Sequence, residues 1–372
     1  MSEPTALDQY LIELINRARM DPAAEAARLG IDLNQGLSQG QITTAPKQPL
    51  AFDPNLTDSA RGHSKWMLDK DVFSHTGVNG SDPGDRIEAA GYKLAGDWRW
   101  GENISWRGSA GIAEDQVESI KLQNDALFKS SGHRVNILQD DFREVGTGIV
   151  SGDFKQYNAL MVAENFGKTG NGVFLTGVAY DDLNNNDFYT PGEGRGGIKV
   201  EATLQGATKP TVLSDTTGTA GGYEIAVAPG TYSVKFSGGG LAAPVTKTVT
   251  LGKENEKLDL IDPKDVKAPA VAKAAGGTQA ADAEVAGASE SAPVSALIDL
   301  VRESGDKLDF SALVDHVRDG SPLPEAWVET LHRGEEILKT VDADAFADDL
   351  AHYIDLLGVR DTYHRFDELV GA

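Results

Sequence analysis

Apolar positions at the start of the chain recur at helical spacing. Leu7, Tyr10, Leu11, Leu14, Ile15 and Ala18 fall at i, i+3, i+4 and i+7 offsets and make one stripe, the pattern of a helix with a buried face. Asp21-Pro22 interrupts the stripe. Pro22, with its fixed φ and missing N–H, suits the opening of a second short helix over residues 23–29. A third helix is expected over 50–67, with Asp53-Pro54 at its start and Leu56, Ala60, His63 and Met67 at helical offsets, and a fourth over 114–129. Glycine-punctuated, β-branched segments at 145–150 and 160–166 then read as strands. Helices followed by short strands fit a single α/β sandwich over residues 1–168.

From Gly172 the helical period disappears. Residues 173–180, 198–204, 222–227 and 231–236 are strand-like, with glycine, aspartate and proline between them, so an all-β module is expected over 172–262. Ser214-Asp215-Thr216-Thr217-Gly218, Gly222-Tyr223-Glu224 and Pro229-Gly230-Thr231-Tyr232 resemble the closing hairpins of a prealbumin-like or B-type surface-protein β-sandwich. Residues 263–293 hold no aromatic side chain and are rich in Ala, Gly, Pro, Ser and charge, which reads as a disordered linker. Helical spacing resumes over 294–372, from Leu297, Leu300 and Val301 to Leu350, Ile354 and Leu357, in a small acidic helical module. The overall class is α+β.

Composition narrows the function. A chain of 372 residues is long for one core, and two or three domains are the prior. A net charge of −23 with no basic patch argues against nucleic acid. The absence of cysteine excludes disulfides, a Cys-based zinc site and a Cys nucleophile. No segment reaches the apolar length of a transmembrane span. Met1-Ser2-Glu3-Pro4-Thr5 lacks the basic and apolar regions of a Sec signal, so a secreted protein of this sequence calls for another route, such as type I export.

Three stretches concentrate the candidate chemistry: Phe73-Ser74-His75-Thr76-Gly77, Gly101-Glu102-Asn103-Ile104 and Ser131-Gly132-His133-Arg134. Each sets a ring or carboxylate among residues that suit turns and close backbone approach. Together with Leu14-Ile15-Asn16-Arg17, His63-Ser64, Arg86, Ala90-Gly91-Tyr92, Asn136-Ile137-Leu138, Val145-Gly146-Thr147-Gly148 and Asn165-Phe166-Gly167, their order resembles the bacterial branch of the CAP superfamily (SCP-like, cysteine-rich secretory and antigen-type proteins). The resemblance implies an α-β-α sandwich with an open cleft lined by His75, Glu102 and His133. It implies a small apolar or lipid-like ligand and an envelope or host surface as partners. Leu127 stands where many relatives carry tryptophan, and Ser130 where animal and plant members place a second glutamate, so a four-ligand metal site is not expected.

Two imidazoles and a carboxylate suit an open zinc-like site with water completing the shell. The same trio equally suits a purely structural hydrogen-bonded cluster pinning three loops. His63 reads as a packed histidine, and Trp66, Phe73, Trp98, Trp100 and Trp106 divide between core anchors and a ligand groove. No Gly-x-Ser-x-Gly elbow and no His-Glu-x-x-His signature is present.

Residues 182–193 match a twelve-position calcium loop. Asp182, Asn184 and Asn186 fall at positions 1, 3 and 5, the Phe188 carbonyl at 7, Thr190 at 9 and Glu193 at 12. Asp187 takes the usual glycine position, where positive φ is needed. Strands expected on both sides make the loop resemble that of B-type surface-protein domains, and two carboxylates imply modest affinity. Gly192-Glu193-Gly194-Arg195-Gly196-Gly197 has the letters of a dinucleotide motif but precedes a strand, so no nucleotide site is expected. The reading is an exported, non-enzymatic binding protein with a calcium-stiffened β-module. The alternative is a metal-assisted peptidase or esterase using the same cleft.

Overall fold

The computed structural model describes residues 3–266, apart from Ile112 and Pro210. The bulk of the expected linker and the whole helical module at 294–372 lie outside the described residues. Those described form one compact unit of mixed α+β structure with several sheets.

The first half runs α1 (Ala6–Met20), α2 (Pro22–Arg28), β1 (Ala51–Phe52), α3 (Pro54–Lys70), α4 (Pro83–Ala89), β2 (Arg99–Ser109), α5 (Gln116–Lys129), α6 (Ser131–Ile137), β3 (Glu144–Phe154) and β4 (Tyr157–Lys168). Local chemistry sets the boundaries. Thr5 and Asp8 form a capping box at the start of α1. Asp53 accepts from the Asn55 and Leu56 N–H groups, and Pro54 fills the first turn of α3. The helix expected from residue 50 therefore starts later, because residues 51–52 pair in parallel with β3 before the cap turns the chain. The short helices α4 and α6 and the strand β2 are not evident from periodicity. β2 carries two Trp and two Gly and lacks clean alternation.

The sheet has the order β1-β3-β4-β2. Side chains alternate across it: Gly146 and Gly148 face α3, while Thr147 between them donates to Asp8 Oδ1 of α1 at 3.0 Å. A Cβ at Gly148 would lie 2.1 Å from the Arg61 nitrogen, so α3 rests directly on the strand backbone. α1, α5 and α6 cover the other face. The predicted α1 stripe is buried, with Leu11, Leu14, Ile15 and Ala18 at its centre.

The second half runs β5 (Val173–Asp181), β6 (Ile198–Leu204), β7 (Val212–Thr216), β8 (Gly222–Val227), β9 (Gly230–Gly238), β10 (Val245–Leu251), β11 (Glu256–Lys257) and β12 (Leu260–Asp262). One sheet has the order β10-β9-β6-β7; the other sets β8 on one side of β5 and β11 and β12, both parallel, on the other. Leu175 and Ile225 from one sheet share a core with Val200, Val234 and Phe236 from the other.

The two halves are closely joined. Phe188 packs edge-on to Tyr10 of α1 at 6.2 Å, and Arg17 lies 5.1 Å above its ring. Val178, Tyr180 and Tyr189 belong to the same apolar cluster as Leu11, Leu14 and Ile15. Asn255 bridges the halves: its side chain donates to Pro49 and Arg143 carbonyls and accepts from Phe174 N–H. Lys257 Nζ meets the buried Glu13 at 2.9 Å.

Candidate functional site

The cleft lies along the edge strand β2, whose alternation sends neighbouring residues to opposite layers. Glu102 points toward α4 and the loop after α3. Its Oε1 lies 2.8 Å from His75 Nδ1, and its Oε2 accepts from Arg86 Nη2 at 2.6 Å. Asn103, next along, points toward α6, where Asn136 donates to its Oδ1 at 3.0 Å and to the Glu102 carbonyl at 3.1 Å. His133, at the start of α6, sets Nδ1 2.8 Å from Ser130 Oγ.

These contacts fix what each group can do. The Glu102 side chain is 1% exposed and that of His75 is 53% exposed, so the carboxylate is the floor and the ring is the rim. With Nδ1 turned to the carboxylate, the free edge of His75 is Nε2. Burial, and then the nearby His75, hold the His133 imidazole below its usual pKa, favouring the neutral ring. Arg86 also donates to the carbonyls of His75 and Ser81, at 2.9 and 3.0 Å, and so clamps the loop that carries His75.

The sequence named three candidate cleft residues; the structure brings His75 and Glu102 into direct contact with each other, while His133 bonds to Ser130 instead. It did not name Arg86 as a cleft residue. The local signal was Asp82-Pro83, which begins a helix by capping box and places Arg86 one turn in. His63 is buried and stacked 5.6 Å from Trp66, with Nε2 2.9 Å from the Ser74 carbonyl. It therefore supports the His75 loop from below. Burial pushes its pKa down. Trp106 packs on Phe154, while Phe73 and Trp98 are exposed.

As a metal centre the trio fits poorly as folded, because a guanidinium occupies one Glu102 oxygen and a ring N the other. Among the described residues no three of His, Asp and Glu come together in a group able to hold a metal ion.

The loop at 182–193 is compact. Asp182 accepts from the Asn186 and Asp187 N–H groups, Glu193 from those of Leu183 and Thr190, and Asn184 donates to Thr190 Oγ1. Asp187 has φ +56°, the left-handed conformation that its position required. Two carboxylates and several neutral oxygens lie in one turn, a donor set of the kind hard cations take. Burial raises the pKa of Glu193. No nucleotide-type turn forms at 192–197, which leads into β6.

Residues 12–166 match the model of the Cysteine-rich secretory protein family, CAP. Over 117 residues the chain is 35% identical to the uncharacterized protein YkwD of Bacillus subtilis (strain 168), which is 30% of this chain and 40% of the relative's length. Among solved structures, an extracellular SCP-domain protein of Bacillus anthracis is 23% identical at a TM-score of 0.28, over 44% of each chain. An outer surface protein of Borrelia burgdorferi is 16% identical at a TM-score of 0.29, over 44% of this chain and 92% of its own. The family match spans the α-β-α half of the described residues.

Proposed function

We propose that this CAP-domain chain is an exported, non-enzymatic protein whose His75–Glu102–His133 cleft takes up a small apolar or lipid-like ligand or docks on an envelope or host surface. The observation that carries the reading is the double engagement of Glu102. Both its oxygens are held, by His75 and Arg86, so the cleft lacks a free carboxylate base. Exposed Val72, Phe73 and Val78 flank the His75 loop and offer apolar contact beside a polar anchor. The family description, secretory, supports export.

The test is titration of the full chain with a fluorescent long-chain fatty acid, alongside ester and peptide substrates and metal analysis of chelator-free protein. Stoichiometric binding that weakens in Arg86→Ala, without turnover, supports the reading. Zinc that co-purifies and is lost in a His75→Ala/His133→Ala variant, with hydrolysis lost in step, replaces it with the metal-assisted hydrolase.

For the β-module, we infer a calcium-stiffened element of B-type kind. Asp182, Asn184, Asn186, Thr190 and Glu193 would supply side-chain oxygens and Phe188 its carbonyl, with calcium offsetting the crowding of carboxylates in one turn. Calcium should raise the Tm of the full chain, chelator should reverse the rise, and Glu193→Gln should abolish it. An equal Tm in calcium and in chelator removes the inference.

A further inference from the structure

A cavity of about 340 Å³ opens at the seam between the CAP domain and the β-module, and it shares no lining residue with the His75 cleft. The volume falls at the small end of ligand pockets, roughly 300–1,000 Å³. Ile12, Phe52 and Pro54 line it from one half and Gly177 and Tyr223 from the other. Glu3, Glu13, Asp215 and Glu224 also line it, Glu13 being paired with Lys257, and none of its lining residues is Lys, Arg or His.

Glu224 is the notable member. Its Oε2 is buried and has no hydrogen-bond partner, which a soluble fold rarely tolerates without some other occupant. The charged groups bearing on it are all carboxylates: Asp53 at the start of α3, Glu144 on β3 and Asp215 on β7. None of these carboxylates is free to help it. Asp53 caps α3, and Glu144 accepts from Tyr92 Oη at 2.5 Å. Asp215 accepts from the Glu224 N–H at 2.9 Å. No cation is among the groups that bear on it, and Lys257, whose strand pairs with β5, is held by Glu13 and Asp259.

We propose that this seam cavity binds a small amphipathic cation, a protonated amine bearing a short apolar tail, with its ammonium against Glu224 and its tail against Ile12, Phe52 and Pro54. Charge complementarity supports the choice: the cavity combines the apolar surface of Ile12, Phe52 and Pro54 with four carboxylates and no basic residue. A ligand without a donor would leave the orphaned oxygen unsatisfied, an anion would add repulsion, and a neutral donor would bond the oxygen without answering the surrounding negative charge.

Binding is linked to a proton. Burial, and then the neighbouring carboxylates, push Glu224 up to about 8, so the empty cavity holds it largely protonated at neutral pH. An ammonium favours the ionised form, so its entry expels the proton. Affinity rises with pH toward about 8 and falls again only as the amine itself loses its charge near about 10.

The test uses the full chain with n-hexylammonium and with 1-hexanol as its neutral match, by calorimetry at pH 6 and pH 8. Hexylammonium should bind at least about tenfold tighter at pH 8 than at pH 6, hexanol should show no such dependence, and Glu224→Gln should erase the ammonium's advantage. The variant removes a buried carboxylate, so its Tm at pH 8 should equal or exceed that of the wild type, which certifies folding. Hexylammonium binding no tighter than hexanol, surviving Glu224→Gln, or absent at roughly 10 mM overturns the proposal.

Discussion

Single residues in this protein act mostly by holding others. Arg86 touches the His75 carbonyl, the Ser81 carbonyl and the Glu102 carboxylate at once. Arg86→Ala should free the 74–81 loop, seen as faster amide exchange there, and weaken cleft binding by about tenfold. Global stability should fall by only about 1–3 kcal/mol, the cost of losing charged hydrogen bonds. Glu164 makes a different prediction. It is wholly buried, receives one bond from Asn103 at 2.9 Å, and leaves Oε1 unpartnered. Burial pushes it up to about 7. The unfolded chain gives up this proton near about 4.3, the folded one near 7. The folded state therefore binds more protons across that window, and stability falls as pH rises through it. His63, depressed by burial, works in the opposite sense, removing stability as pH drops below about 6.5. Denaturant midpoints of Glu164→Gln should exceed those of wild type above pH 7 and match them near pH 4. An unchanged difference across that range would mean Glu164 does not titrate with folding.

Elements show what the sequence made legible. The α1 stripe, the Asp53-Pro54 helix start and the strands around 145–150 and 160–166 were readable because periodicity and capping are local signals. β2 and α4 were not, since β2 owes its place to pairing with β4 along its full length rather than to its own pattern. His75 and Glu102 were legible as residue types but not as a circuit: that Glu102 belongs to Arg86 as much as to His75 depends on α4 packing against β2. α3 packs directly on the backbone of β3. Gly148→Ala would place a methyl within 2.2 Å of the Ala60 carbonyl carbon and the Arg61 nitrogen. Both are backbone atoms and cannot step aside, so helix and strand must part. A loss of about 1–3 kcal/mol or more is expected from chemical denaturation, by overpacking alone. Alanine at the exposed and unobstructed Gly132 should cost far less.

At the scale of the described molecule, the β-module is part of the α-β-α half's packing rather than a bead beside it. The apolar cluster around α1 continues into Tyr180 and Tyr189, and the Glu13–Lys257 pair is buried at the junction. Burial holds the Glu13 carboxyl above its ordinary range even with that lysine beside it. Lys257→Met should therefore destabilise both halves together, by about 3–5 kcal/mol, because it leaves a buried acid unpaired. Differential scanning calorimetry should show one transition at lower temperature. Two resolved transitions would mean that the halves melt independently.

The order of strands in the module has a mechanical consequence. β12 runs parallel to β5, pairing Leu260–Asp262 with 179–181, and the Asp182 N–H donates to the Asp262 carbonyl at 2.8 Å. The chain thus leaves the module beside the 182–193 loop, at the end of β5 farther from its entry out of the CAP domain. A pull on the sequence beyond residue 266, resisted at the CAP domain, would drag these two strands past each other along their length. Their hydrogen bonds would then be loaded together, in shear, instead of being opened one at a time. Traction applied in this direction would meet the two strands in shear, and a cation in the adjoining loop would tighten the same point of load.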